Sequence, residues 1–163
     1  MKKIILKLVF FTLLVGCSNF EFVYNDASKS NLIKDETLLA ISGDETEIIY
    51  SYAINKINNK KNDYTYELSI ISTKVVEAVV VEKDATASKF NIELTIFYSL
   101  ENAKNNCMVL EKSFTTNSTF DSKSAGYSFG TDLSEQEVLI QSIHSNIDDF
   151  LLHLNGFEDR LNC

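Results

Sequence analysis

The sequence predicts a two-layer α+β sandwich in which two helices pack on one face of a roughly four-stranded mixed sheet. Two observations support this fold class. Two long segments alternate apolar and polar residues, as half-buried strands do, and two other segments repeat apolar residues at the helical spacing. Each helix has to bury its apolar stripe and the sheet offers one apolar face, so both helices should lie on that face.

A short strand and a helix come first. The apolar segment Thr37–Ser42 ("TLLAIS") is predicted to be a strand. Ser42 and Glu45 have the spacing of a capping box, which predicts a helix that starts at Gly43 or Asp44. The residues that recur at the helical spacing, and should therefore face the core, are Ile49, Tyr52, Ala53 and Ile57.

Three long strands follow, joined by polar turns. The first covers Tyr64–Val75 and is continued by the apolar stretch "VVEAVVV", which leads to a hairpin tip. The second, Phe90–Leu100, alternates most clearly, and the third covers Met108–Thr116. The second strand places these apolar residues on one face: Phe90, Ile92, Leu94, Ile96, Tyr98 and Leu100.

A loop and a second helix are predicted at the C-terminal end. Residues Asn117–Asp132 are polar and include two glycines, which is typical of a loop. Ser134 and Glu137 form a second capping box, and Asn155-Gly156 would end the helix. The apolar stripe of this helix consists of Leu139, Ile143, Ile147, Phe150, Leu151 and Leu154.

The first residues have the features of a secretion signal. Lys2 and Lys3 form a positive head, and the apolar run Ile4–Val15 is too short to cross a bilayer as a helix. Leu14–Cys17 ("LVGC") resembles the lipobox of bacterial lipoproteins, in which the cysteine thiol is acylated and the chain is cut before it. An ordinary signal peptide, with Cys17 present by chance, is the alternative.

This interpretation divides the chain into three parts. Residues 1–16 are the signal peptide, residues 17–36 the lipidated N-terminus and tether, and residues 37–163 a single α+β domain. Ser18 follows the cysteine in place of the aspartate that retains some lipoproteins in the inner membrane. We therefore expect a protein that is lipid-anchored in the outer membrane and faces the periplasm.

The charge balance limits the range of partners. The chain has 15 basic and 23 acidic residues, a net charge of −8, and loss of three lysines with residues 1–16 would bring the mature chain to −11. Such a surface repels polyphosphates and no basic stripe is visible, so nucleic acid is not expected as a partner. Attachment to the membrane would have to come from the lipid anchor, because this charge does not favour anionic headgroups.

Motifs that could carry chemistry are incomplete. "GYSFG" matches the Gly-x-Ser-x-Gly pattern around Ser128, but a hydrophobic strand does not precede it, so a glycine-bearing loop is expected instead. His144 and Asp148, four residues apart, could share a metal, but two ligands do not make a site, and an exposed helix face is expected. We therefore predict no enzymatic activity, no metal and no cofactor.

Three stretches resemble the LPS-assembly lipoprotein (LptE) family. They are "FEFVYN", "YELSIIS…DATASKFNIELTIFYSL" and "SKSAGYSFGTDLSEQEVLIQSIHSNIDDFLLHL", which together span most of the mature chain. The resemblance implies a lipoprotein held inside the lumen of an LptD-like outer-membrane β-barrel. There it would support barrel assembly and help lipopolysaccharide (LPS) reach the outer leaflet. The alternative is a periplasmic lipid- or small-molecule-binding lipoprotein that works without a barrel partner.

Two lysines are predicted to contact LPS. LPS is a polyanion, so binding requires local positive charge on this acidic chain. The resemblance places Lys83 and Lys112 near positions at which relatives carry basic residues implicated in LPS contact. Ordinary solvated lysines are the alternative.

The two cysteines beyond Cys17 could form a disulfide. Cys107 opens the third long strand, and a last helix of about 20 residues could bring Cys163 back toward it. Paired cysteines tend to join in an oxidising compartment, and so long a loop would add about 4 kcal/mol if unstrained. A free Cys163 on a frayed tail is the alternative.

Overall fold

The predicted sheet and its two helices are present. The computed structural model describes residues 33–81, 83, 87–121 and 128–156, with only the backbone described for 128–132. The elements are β1 (Thr37–Gly43), α1 (Thr46–Ile57), β2 (Tyr66–Val81), β3 (Ala87–Asn102), β4 (Cys107–Asp121) and α2 (Ser128–Asn155).

The four strands form one mixed sheet in the order β1-β2-β3-β4. β1 runs parallel to β2, because α1 carries the chain back between them, whereas β2, β3 and β4 form an antiparallel meander. β1 is short and ends at Gly43, opposite Ser72. The segment Thr73–Val81 of β2 therefore extends beyond β1.

The core lies between the sheet and the two helices. β3 is central and contributes Ile92, Leu94, Ile96, Tyr98 and Leu100, which are all fully buried. α1 contributes Ile49, Ala53 and Ile57, and α2 contributes Leu139, Ile143, Ile147, Phe150 and Leu154. Burial of one large apolar side chain stabilises a fold by about 1.5–3 kcal/mol, so the alternation of β3 accounts for much of the stability of the sandwich.

The capping box predicted for the first helix is wrong. Ser42 belongs to β1, and Glu45 lies at the N-cap of α1 in the left-handed region (φ 56°) without a side-chain cap bond. The turn is held by β2 instead: the Ser72 hydroxyl donates to the Asp44 carbonyl, and the Lys74 N–H donates to the Asp44 carboxylate at 2.7 Å. Pairing of β1 with β2 continues to Gly43, which leaves no room for an earlier helix start.

The predicted loop Asn117–Asp132 is wrong at both of its ends, and the second capping box is also wrong. β4 continues to Asp121, and α2 already begins at Ser128, so Ser134 lies within the helix. The strand continues because Phe120 is buried against Phe90, with ring centroids 5.2 Å apart. Serine and threonine side chains fit a half-exposed strand, so polar composition does not end it. The predicted end of the second helix at Asn155 is confirmed.

The sheet face opposite the helices, here called the open face, is rich in hydroxyl and acidic side chains. Strand alternation places on it residues such as Thr95 and Thr115, whose hydroxyls lie 2.9 Å apart across neighbouring strands. The glutamates of the open face are Glu67, Glu77, Glu93, Glu101 and Glu111. The face is therefore negatively charged, and it also carries exposed apolar side chains at Ile71, Val75 and Met108.

Neither described helix is both long enough and apolar enough to be a membrane span. Neither α1, with 12 residues, nor α2, with 28, contains a window that is apolar enough to cross a bilayer.

Candidate functional site

The two lysines predicted to contact LPS are both exposed but lie far apart. Lys83 is in the turn at the tip of the β2–β3 hairpin. Lys112 is on β4, opposite Tyr98 of β3. The hairpin tip begins at Ala87, eleven residues before Tyr98, so the two lysines are separated by roughly 35 Å along the sheet. They do not form one binding site.

Lys112 lies on β4, the strand that packs against α2. It follows the core-facing alternation of β4, yet it is exposed because β4 is an edge strand. The next core-facing residue, Phe114, contacts the ring of His153 at 5.8 Å.

The predicted cysteine and lipidation sites are only partly described. Cys107 is the first residue of β4 and is disulfide-bonded. Cys17 and Cys163 lie outside the described residues, so the lipidation of Cys17 and the pairing of Cys107 with Cys163 stay predictions.

A polar cluster joins α1 to α2 at the surface. The Tyr52 hydroxyl donates to the Asp148 carboxylate at 2.8 Å, and Lys56 Nζ lies 3.0 Å from the same carboxylate. The His144 ring stacks on Tyr52 with centroids 3.7 Å apart. Burial and the Asp148 hydrogen bond raise the pKa of Tyr52. Burial lowers the pKa of Lys56, but its hydrogen bonds and charge interactions with Asp148 and Tyr52 outweigh burial, so the net shift is upward.

This cluster holds two helices together and has no obvious reactive group. Asp148 is engaged by two partners, and His144 packs by its ring face. Within the described part of the chain, no group of three or more His, Cys, Asp or Glu side chains is placed to bind a metal. We therefore interpret the cluster as a structural contact.

Lys74 forms a second polar contact, which sequence patterns did not indicate. Its ammonium lies 2.6 Å from Glu45 at the start of α1 and 3.5 Å from Glu135 of α2. The Glu45 hydrogen bond raises the pKa of Lys74 against the opposing effect of burial. One side chain of β2 thus links the first turn of α1 to α2.

A buried polar network crosses the core. Asn146 of α2 is fully buried and accepts a hydrogen bond from the Tyr98 hydroxyl at 2.9 Å. Its amide donates to the Phe114 carbonyl and to the Thr116 hydroxyl, both at 3.0 Å. The Tyr98 ring stacks on Phe150 at 4.1 Å. This network sets the register of α2 against β3 and β4.

The network left a signal in the sequence. Ser142 and Asn146 lie three and seven residues after Leu139, so both fall on the apolar stripe of α2. The Ser142 hydroxyl lies 2.7 Å from that of Ser118 on β4. A polar residue on an apolar stripe requires a buried hydrogen-bond partner, although the sequence alone does not show which one.

Tyr98 should make the protein sensitive to alkali. Burial, with a smaller effect of the Asp149 charge, raises its pKa well above the ordinary value. Above about pH 10 the unfolded tyrosine loses its proton while the folded one keeps it, so the unfolded state binds fewer protons and stability falls as the pH rises. In Tyr98→Phe, the free energy of unfolding should decline less steeply above about pH 10, by up to about 1.4 kcal/mol per pH unit.

The measurement is chemical unfolding of wild type and Tyr98→Phe between about pH 8 and pH 11.5, a range that brackets tyrosine ionisation. The matched control is Tyr50→Phe, because Tyr50 is 38% exposed. We expect the control to keep the wild-type slope. If the free energy of unfolding of Tyr98→Phe fell with pH as steeply as that of the wild type, Tyr98 would not be the cause of the alkaline loss of stability.

Two grooves on the described surface are open to solvent. One, of about 290 Å³, lies between β1 and α1 and is lined by Leu39, Ile41, Thr46, Glu47 and Tyr50. The other, of about 490 Å³, lies along α2 and is lined by Leu133, Gln136, Glu137, Ile140 and Gln141. Sites for small molecules usually enclose most of the ligand, so neither groove has the shape of a typical small-molecule pocket.

Comparison with known proteins relates this fold to bacterial lipoproteins. No protein-family model and no curated protein sequence matches the chain. Among solved structures, a protein of Caulobacter crescentus described as a lipoprotein is similar over 80% of this chain and 95% of its own, with a TM-score of 0.58 and 17% identity. The rare lipoprotein B of Shewanella oneidensis covers 77% of this chain and 99% of its own, with a TM-score of 0.55 and 10% identity.

A third solved structure leads to the same conclusion. A minor lipoprotein of Acinetobacter baumannii covers 74% of this chain and 91% of its own, with a TM-score of 0.56 and 12% identity. Identities this low establish similarity of fold alone. The chain therefore has a fold that occurs in bacterial lipoproteins and shares it over nearly the full length of those structures.

Proposed function

We propose that this protein is a non-enzymatic outer-membrane lipoprotein that plugs and helps assemble an LptD-like β-barrel and assists delivery of LPS to the outer leaflet. The observation that carries the proposal is the combination of a lipobox-like "LVGC" with a fold that rare lipoprotein B and other lipoproteins share. The first feature supports a lipid tether, and the second supports the kind of domain that the tether holds.

The physical character of the domain fits a plug. The buried network around Asn146 and the links from Lys74 and Asp148 tie both helices to the rest of the fold, which makes the sandwich rigid. The open face presents hydroxyl and acidic groups, which can remain hydrated inside a water-filled barrel. A plug needs rigidity and a polar exterior because it must fill a wet lumen without unfolding.

The positions of the two lysines favour a route over a single binding pocket. Lys83 and Lys112 lie roughly 35 Å apart along the sheet, so one phosphate-bearing headgroup would not contact both. An LPS molecule that moves along the domain would instead meet them in succession. We propose that each lysine provides one local attractive contact on a chain whose net charge is −8.

The second candidate function is binding of a lipid or small molecule without a barrel partner. The groove between β1 and α1 favours it, because Leu39, Ile41 and Tyr50 give that groove an apolar lining. The groove is shallow, and therefore this function ranks second. The presence or absence of a barrel partner distinguishes the two candidates.

The test is purification of the native lipoprotein from membranes and mass identification of what copurifies, with depletion of the protein in parallel. We expect a large outer-membrane β-barrel to copurify, and depletion to reduce both mature barrel and surface LPS. Cys17→Ala should block acylation and reduce the mature barrel, its copurification and surface LPS, while the domain still folds because Cys17 precedes the predicted domain. Normal LPS export after depletion, with no barrel in the purified sample, would favour the second function.

Charge reversal tests the two lysines. Lys83→Glu and Lys112→Glu should each reduce LPS cross-linking without loss of the barrel, whereas the exposed Lys61→Glu is the matched control and should change neither. If all three variants lost LPS cross-linking equally, the cause would be the change in net charge and not the loss of local contacts with LPS.

A further inference from the structure

Beyond the end of β1, no element in the described part of the chain covers the edge of β2. On the β1 side, the Ser72 carbonyl accepts from the Asp44 N–H at 3.1 Å, and the Lys74 N–H donates to the Asp44 carboxylate at 2.7 Å. Backbone groups of a strand alternate in direction, so the N–H and C=O groups of Val76 and Ala78 point to the same edge. No described residue pairs with them on that side.

The side chains along this edge are apolar and exposed. Five valines of the run "VVEAVVV" are exposed by 38–59%: Val75, Val76, Val79, Val80 and Val81. Natural proteins protect a free edge with proline, lysine, a bulge or a covering element, because an apolar edge pairs readily with other strands. Here the side chain of Asp44 protects only the Lys74 N–H, and a bulge begins only after Ala78.

Glu77 lies in the middle of the run and restricts what can cover it. It is exposed on the open face, opposite Asn91 and diagonal to Glu93. An ionised carboxylate is costly to bury in hydrocarbon, so insertion of this edge into a lipid core is unfavourable. The nearest cation in register, Lys89, pairs with Asp121 on the other side of β3.

A second copy of the chain is also a poor partner. Two edges in contact would place two open faces side by side, each with the glutamates named above, on chains of net charge −8. Like charges on neighbouring strands are destabilising, and self-repulsion of this size opposes dimers. The exposed carboxylate of Glu77 instead favours a strand from another protein that carries positive charge.

We propose that the edge of β2 from Val76 to Ala78 docks an extended segment of a partner protein, which adds a fifth strand to the sheet. The backbone groups of the edge provide the hydrogen bonds, and the exposed valines contact apolar side chains of the segment. Opposite Glu77 the segment carries a lysine or arginine. This inference goes beyond the proposed function and holds for any partner with that chemistry.

The experiment uses the full-length chain in its native membrane, with a photo-cross-linking amino acid in place of Val76. We expect one major adduct, whose attached peptide is an extended segment with alternating apolar residues and a lysine or arginine. Placement of the same probe at Thr115, on the open face of β4 and away from the edge, is the matched control and should not give this adduct. An adduct with lipid or with a second copy, or none at all, overturns the proposal.

Edge variants test the hydrogen bonds themselves. Ala78→Pro removes an outward N–H that no described residue accepts, so it should fold yet reduce the adduct about tenfold, the effect of losing one or two hydrogen bonds. Ala78→Ser keeps the N–H and should retain the adduct. Glu77→Lys provides a second variant that does not alter the backbone, and it should also reduce the adduct. An undiminished adduct in folded Ala78→Pro or in Glu77→Lys overturns the proposal.

Discussion

Asn146→Ala is expected to lower the free energy of unfolding by about 4 kcal/mol. The change removes the acceptor of the Tyr98 hydroxyl and the donor to the Phe114 carbonyl and the Thr116 hydroxyl. The Tyr98 hydroxyl is buried, and a buried polar group without a partner costs about 1–3 kcal/mol. The volume lost at a fully buried position adds a cavity cost.

Chemical unfolding monitored by circular dichroism measures this effect. Asn55→Ala is the matched control: Asn55 is also a helical asparagine, but it is exposed, and among the described residues its amide donates to the Ser51 carbonyl of its own helix. We expect the control to change stability by less than about 0.5 kcal/mol. A similar small effect of Asn146→Ala would show that the network does not stabilise the packing of α2.

Gly43→Ala is expected to destabilise the protein by about 3 kcal/mol. Gly43 has a φ of +97°, in the region that L side chains rarely adopt, and it lies against the backbone of β2. A Cβ atom at this position would lie 2.1 Å from the Ser72 carbonyl oxygen. That oxygen also accepts from the Asp44 N–H, so the turn into α1 and the end of β1 would have to move together.

The matched control is Gly156→Ala. Its nearest neighbour would be the His153 carbonyl oxygen at 3.3 Å, so a small shift is enough to accommodate a methyl group. We expect a change of less than about 1 kcal/mol in the control. Comparable losses in the two variants would contradict the close approach at Gly43.

The strands could be predicted from the sequence because one face of the sheet is buried. The alternation in Phe90–Leu100 identifies every core residue of β3 from Ile92 to Leu100, and each of them is buried. A shift of one residue would move that entire set to the open face, so the pattern determines the orientation of the strand. The apolar stripe of α2 identifies its core face for the same reason, apart from Ser142 and Asn146.

Neither helix start could be predicted from local sequence patterns. Ser42–Glu45 and Ser134–Glu137 have capping-box spacing, but neither begins a helix. Pairing with β2 holds Ser42 in a strand, and α2 begins six residues before Ser134. A cap contributes about 1 kcal/mol, which packing of a strand or a helix turn readily outweighs.

Whether candidate site residues lie close together depends on their distances within the sheet, and the sequence does not give those distances. Lys83 and Lys112 were both predicted to contact LPS, but only the register of β3 and β4 shows that they lie far apart. The sequence also did not indicate the edge of β2 that no described residue covers. The valine run has the pattern of an ordinary strand, and the edge becomes evident only because β1 ends at Gly43. Both results concern which strands lie side by side and where each one ends.

The linear order of residues was therefore sufficient for the fold class, the core faces and the lipobox-like start, since these depend on periodicity and local chemistry. The tertiary structure decided the helix starts, the hydrogen-bond partners of Asn146, the salt bridges of Lys74 and the exposed edge from Val76 to Ala78. Those features arise from contacts between segments that are distant in sequence, and their energies exceed the local preferences that a sequence pattern records.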